Sequence, residues 1–152
     1  VIRQRGQTVH TVDEVLRDWC DREGRTPHPH EQPGIAQSQA QQVERIASGW
    51  VISDTTPLMT AVYSLAYFDD SDLLADAVTD ARTYDLIWWC RPDLPWTPDG
   101  DQRDGPERRN QVDALIGEIV RESGLTVIEL HGSVDERIVT AISGLRGRVT
   151  AQ

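Results

Sequence analysis

Residues 84–90, YDLIWWC, form a nearly continuous apolar run with no alternation of polar and apolar positions. A short run of this kind predicts a strand covered on both faces, the pattern of a parallel sheet. Its two tryptophans, Trp88 and Trp89, are successive strand residues and so are expected to point to opposite faces, into core. Parallel strands need long crossovers, and the surrounding sequence supplies helices for them. Further strands are predicted at 7–12 (QTVHTV), 50–53 (WVIS) and 125–130 (LTVIEL).

Helices are predicted between these strands. One spans 14–22, with Val15, Leu16 and Trp19 on one side and Asp13 as its cap. A second spans 33–48 on Ile35, Ala36, Ala40, Val43, Ile46 and Ala47, with Gly49 placed to end it. Pro57 opens a third, which uses Leu58, Val62, Leu65 and Ala66. Segment 71–82 follows, capped by Ser71, with Leu74, Ala77 and Val78 inward. Helix 110–123 turns Val112, Leu115, Ile116, Ile119 and Val120 inward and stops at Gly124; helix 134–145 uses Ile138, Ala141, Ile142 and Leu145. Two loops interrupt the rhythm. Residues 23–33 carry three prolines and a glycine, and 91–109 carry four prolines, two glycines and four arginines. The order argues one α/β domain over 1–152 with a mostly parallel sheet.

The chain has 152 residues, enough for one sizeable core. Its formal charge of −10 repels phosphate backbones and argues against non-specific nucleic-acid binding. All 15 of its Lys and Arg residues are arginine, which excludes Schiff-base chemistry and any phosphate-gripping lysine from this chain. Cys20 and Cys90 make no disulfide framework or metal cluster, and the four histidines form no metal pattern or hydrolytic triad. Neither a signal segment nor a bilayer-length apolar run is present, so a cytoplasmic setting without a membrane partner is expected. An exposed sheet edge would encourage a homodimer.

Ligands on parallel sheets bind beyond the carboxyl ends of the strands. Asp54, at the tip of the WVIS strand, is placed to hold hydrated Mg²⁺. It could equally cap the helix opened by Pro57, as could Thr55 and Thr56. Glu14 could hydrogen-bond a substrate hydroxyl, and Arg17, one turn later, could clamp the same ligand. The plainer alternative is a first-turn charge beside a surface arginine. Arg103, Arg108 and Arg109 suit the charge of a transferring phosphoryl group, or simply a solvated loop. Trp96, among prolines, either stacks on an aromatic ring or anchors its loop.

The segments ISDTTPLMTAVYSLAYF and PDLPWTPDGDQRDGPERR, with the closing strand and helix, carry a resemblance that extends over nearly the whole chain. Together they resemble the ATP-binding domain related to the nicotinamide riboside kinase domain of bacterial NAD-regulatory proteins, within the P-loop NTPases. The resemblance implies a three-layer α/β fold, ATP with Mg²⁺, and phosphorylation of a nucleoside-like hydroxyl. It makes Asp54 the Walker B acid and metal ligand. It puts Glu14, Arg17, Asp93, Trp96, Asp99 and Gly100 toward the substrate. It makes Arg103, Arg108 and Arg109 lid arginines near the phosphates, with Thr55 beside the nucleotide. The family opens with a strand and a glycine-rich loop ending in Gly-Lys-Ser/Thr, and a lysine-free chain contains no such motif. The expectation is therefore an N-terminally truncated domain, a kinase when complete. The other readings are a non-catalytic nucleotide-binding or interaction module and an ATPase switch.

Overall fold

The computed structural model describes residues 6–97 and 105–149. It divides into two compact units, Val1–Ala81 and Arg82–Gln152.

In the first unit β1 (Val9–Val12) leads into α1 (Val15–Glu23), and α2 (Gln32–Glu44) precedes β2 (Trp50–Ser53). The strands pair in parallel, Val9 opposite Trp50 through Val12 opposite Ser53. The helices α1 and α2 form the crossover that this pairing requires. Two more helices complete the unit, α3 (Pro57–Phe68) and α4 (Leu74–Ala81). The 33–48 helix stops earlier than its apolar stripe predicts, at Arg45, and Gly49 does not end it. Gly49 instead turns the chain into β2 with φ +92°, where a Cβ would lie 3.0 Å from the Thr8 carbonyl oxygen. The segment 23–33 is not wholly irregular either, because Pro29–Glu31 make a 3₁₀ turn directly before α2.

Pro57 opens α3 as expected, and its cap is Thr56, whose hydroxyl accepts from the Leu58 N–H at 3.2 Å. Helix α4 starts three residues later than the sequence suggests. Ser71 lies ahead of it, its carbonyl accepting from the Leu74 N–H at 3.0 Å. The core of this unit gathers Val12, Ile35, Ala36, Leu58, Ala61, Val62, Ala77 and Ala81. Burying side chains of this size contributes about 1.5–3 kcal/mol for each valine, leucine or isoleucine.

In the second unit β3 (Trp88–Cys90) pairs in parallel with β4 (Ile128–Leu130), and α5 (Pro106–Ser123) connects them; α6 (Val134–Val149) follows. The 84–90 run is mostly not strand, and its strand residues are only half-buried, with Cys90 exposed. The two tryptophans do face opposite ways. A Cβ at Gly117 of α5 would touch Trp89, whereas one at Gly144 of α6 would meet Ile128, which pairs with Trp88. One helix thus covers each face of the pair. Trp89 is also covered by a cation: the Arg91 guanidinium lies 3.9 Å from its ring centroid.

Helix α5 begins at Pro106, four residues ahead of expectation, because proline at its start presets the helical φ. Gly124 ends it in the left-handed conformation, as predicted. Helix α6 is longer than predicted, and Ile138, expected inward, is 50% exposed beside Val134 and Val139. The mostly parallel sheet expected from the sequence is corrected to two separate parallel pairs among the described residues. Each has short strands and its own covering helices. No described helix is long and apolar enough to cross a membrane.

Candidate functional site

The carboxyl ends of β1 and β2 lie side by side, because their register continues past the last strand residues. The Asp54 N–H donates to the Val12 carbonyl oxygen at 2.7 Å. This brings the segment Asp13–Glu14 next to Asp54–Thr55. Glu14, not Asp13, takes the cap position of α1, and its side chain makes no capping bond. Its carboxylate instead lies 3.6 Å from the Arg17 guanidinium, three residues on, the pairing that helix geometry allows. Both side chains keep solvent access, at 20% and 39%.

Asp54 is exposed, and the capping role open to it in the sequence is taken by Thr56. Between them Thr55 has φ +70°. A β-branched residue in the left-handed region costs on the order of 1–2 kcal/mol. The turn that follows Asp54 therefore stores strain.

A residue absent from the sequence reasoning holds these ends together. Gln39 of α2 is 2% exposed, and its amide reaches Val15, Asp13 and Ser53 at 2.9, 3.3 and 3.0 Å. The signal was present in the helix spacing. Gln39 falls four residues after Ile35 and four before Val43, on the inward stripe, where an amide must find buried partners.

The other expected residues belong to the second unit. Asp93 is engaged: the Gly132 N–H donates to its Oδ2 at 2.7 Å, and its Oδ1 pairs with the Arg137 guanidinium. The Gly132 bond is the first cause holding the Asp93 carboxyl below its ordinary value, with the Arg137 charge adding to it. Arg137, itself buried, also donates to the carbonyl oxygens of Gly132 and Arg91, both at 2.9 Å. Trp96 is half-buried. Arg108 and Arg109 lie on the first turn of α5, not in a loop. Arg109 donates to the Leu94 carbonyl oxygen at 3.0 Å and Arg108 to Gln111 at 3.2 Å. The Nε of Arg109 is buried with no hydrogen-bond partner among the described residues. Asp99, Gly100 and Arg103 lie outside the described residues.

His131, one of the four histidines that form no metal pattern or triad in the sequence, has its Nε2 3.2 Å from Glu129 Oε2 and its Nδ1 3.8 Å from Asp93. Glu129 and His131 are two apart, the spacing that shares a face in extended chain, with His131 just past the end of β4. Arg91 completes the network, reaching Asp113 at 2.9 Å and Glu129 at 3.2 Å.

The donors at the β1–β2 ends suit magnesium better than a metal caged by protein. Mg²⁺ takes one or two carboxylates and keeps its waters or phosphate oxygens. Asp54 is a solvent-facing carboxylate of that kind, and no group of three or more His, Cys, Asp or Glu among the described residues could hold a metal ion alone.

A family model described as an AAA domain matches residues 2–137. A search of curated proteins finds no match.

Proposed function

We propose that this chain, which belongs to the AAA domain family, binds ATP with Mg²⁺ at the carboxyl ends of β1 and β2. AAA domains generally bind nucleotide with a metal ion and are P-loop NTPase-like α/β proteins. The finer reading is phosphoryl transfer to a nucleoside-like small molecule, as in the nicotinamide riboside kinase domains that the sequence resembles. It takes 1–152 as one kinase-like domain.

One observation carries the proposal. An exposed carboxylate, Asp54, stands at the tip of β2, hydrogen-bonded through its backbone to the end of β1, where the Glu14–Arg17 pair begins. In this reading Asp54 would hold the ion, with Thr55 at the nucleotide side. Bound Mg²⁺ would neutralise charge on the phosphate oxygens. Glu14 accepts a hydrogen bond, and then the proton, from the acceptor hydroxyl, while Arg17 orients the same ligand. In the second unit, the family resemblance makes Arg103, Arg108 and Arg109 phosphate-binding arginines and assigns Trp96, Asp99 and Gly100 to substrate. Asp93 serves there as a brace for its loop, since both carboxylate oxygens are engaged.

Calorimetric titration of the full chain with Mg-ATP tests the binding step. Asp54→Asn is expected to weaken binding by about tenfold or more, the loss of one charged ligand. Unaltered affinity in that variant, or no binding by the parent chain, overturns the reading. Incubation with ATP and a panel of nucleosides then reads ADP release. Release that needs a nucleoside identifies a kinase.

A second reading is favoured by the absence of lysine throughout the chain. Without a lysine on the γ-phosphate, this sequence alone leaves transition-state charge to arginines and the metal. Binding without nucleoside-dependent release would mark a nucleotide-binding module or, with slow hydrolysis, an ATPase switch.

A further inference from the structure

Gln39 spends its whole amide on the two strand ends that carry the acidic residues. Its Oε1 accepts from the Val15 N–H at 2.9 Å. Its Nε2 donates to the Ser53 hydroxyl at 3.0 Å and to the Asp13 carbonyl oxygen at 3.3 Å. The orientation of the amide is fixed by these partners, because a flip would set N–H against N–H at Val15 and oxygen against oxygen at Asp13. The partners bracket the site: Asp13 and Val15 flank Glu14, and Ser53 immediately precedes Asp54. An aliphatic side chain would continue the stripe between Ile35 and Val43 equally well, so packing does not explain an amide 2% exposed. Its role is to join two backbones.

We propose that Gln39 is the positioning residue of the acidic site. It fixes the backbone on both sides of Glu14 and the residue before Asp54. The two carboxylates are thereby held in one relation to a magnesium nucleotide and its acceptor. The proposal deepens the nucleotide reading and rests on it. Neither Gln39 nor Ser53 touches ligand in this scheme; each acts through its neighbour.

Two variants test it, Gln39→Met and Ser53→Ala. The first removes all three bonds at nearly constant volume, and the second removes only the link to β2. In the ligand-free chain, hydrogen exchange at the Val15 amide is expected to rise about tenfold or more in Gln39→Met and to stay near the parent rate in Ser53→Ala. In the presence of ATP, the magnesium midpoint for nucleotide binding is expected to shift upward about five- to thirtyfold in Gln39→Met and about threefold to tenfold in Ser53→Ala. The thermal midpoint of Ser53→Ala should stay close to that of the parent. A merely structural glutamine would move stability and leave the magnesium midpoint alone. The proposal is overturned if the parent chain binds Mg-ATP and Ser53→Ala, with any folded Gln39→Met, shows the parent midpoint. If Gln39→Met does not fold, Ser53→Ala decides. Failure of the parent chain to bind Mg-ATP is a different result, which removes the nucleotide reading and this proposal with it.

Discussion

The carboxyl ends of β1 and β2 are fastened by a neutral amide, and those of β3 and β4 by guanidinium groups. In the first unit Gln39 makes the ties, and Glu14 and Asp54 keep solvent access. In the second, Arg137 holds Asp93, and Arg91 holds both Asp113 and Glu129. The neutral fastener takes no charge from the acids: Asp54 stays exposed, while Glu14 is paired with Arg17 at 3.6 Å. A charged fastener draws on the carboxylate it holds. Carboxylates at two pairs of strand ends therefore do not make equal sites, and the proposed metal site is the one in the first unit. Strain follows the same division: the non-glycine residues with positive φ among the described residues, Thr55 and Asp69, both lie in the first unit.

The largest expected effect breaks the comparison through stability. Asp93→Ala leaves the buried Arg137 guanidinium without its carboxylate, and is expected to cost about 2–3 kcal/mol in urea unfolding. Asp54→Ala, at an exposed position, is expected to change stability by no more than about 0.5 kcal/mol. If the two variants destabilise equally, the acids are not divided between bracing and binding.

Glycines sharpen the contrast next. At Gly49 a Cβ would meet the Thr8 backbone oxygen at 3.0 Å, with φ at +92°, and neither backbone can move cheaply. Gly49→Ala is expected to cost about 2 kcal/mol. At Gly144 the nearest obstacle is the end of the Ile128 side chain, which can swing away. Repacking there is offset by the better helix propensity of alanine, so Gly144→Ala should fall within about 1 kcal/mol of the parent. Thermal unfolding of the two variants checks the order.

Much of this was legible in the sequence, and the rest was not for identifiable reasons. The strand at Trp50–Ser53 and the helix opened by Pro57 follow from local signals, three successive apolar residues and a proline behind a threonine. The Glu14–Arg17 pair follows from helical spacing alone. Pairing partners of strands are set by tertiary contacts, so one continuous sheet was expected where two pairs are observed. The start of α5 was obscured because Arg108 and Arg109 read as loop charge, although Pro106 favours a helix start. Gln39 was hidden by the glutamines around it in QSQAQQ, where only registering the helix against its apolar stripe separates the buried one from the others. The engagement of Asp93 could not be read at all, since its partners Gly132 and Arg137 lie about forty residues away in sequence.

Relief of the turn before α3 should give a smaller change. Thr55→Gly removes the Cβ that opposes φ +70° and is expected to raise stability by about 0.5–1 kcal/mol, net of the added freedom of the unfolded chain. A loss of stability would mean that the threonine side chain makes contacts outweighing its backbone strain. If Thr55 also touches nucleotide, Mg-ATP affinity should fall in the same variant while its melting temperature rises. A purely structural turn would not give that opposite movement.

The smallest expected effect lies at the surface of the first unit, where Glu31, like the acids of the second, is fastened by arginine. Glu31 accepts from both terminal nitrogens of Arg25, at 2.8 and 2.7 Å, and from the His28 N–H at 2.7 Å. The Arg25 bonds, followed by the His28 N–H, lower its pKa from 4.5 to about 2. A carboxyl lowered on folding contributes stability that is present above its unfolded value and lost as pH falls through the folded one. For Glu31 that window runs from 4.5 down to about 2. Because the group is exposed, solvent and salt screen the pair and the effect should be small. An NMR titration should find Glu31 still ionised near pH 3, and Glu31→Gln should flatten the melting temperature across the window. A Glu31 that titrates near 4.5 would show that Arg25 is drawn elsewhere, to the Trp19 ring 4.8 Å from its guanidinium carbon, and that Arg25 does not fasten this carboxylate as Arg137 fastens Asp93.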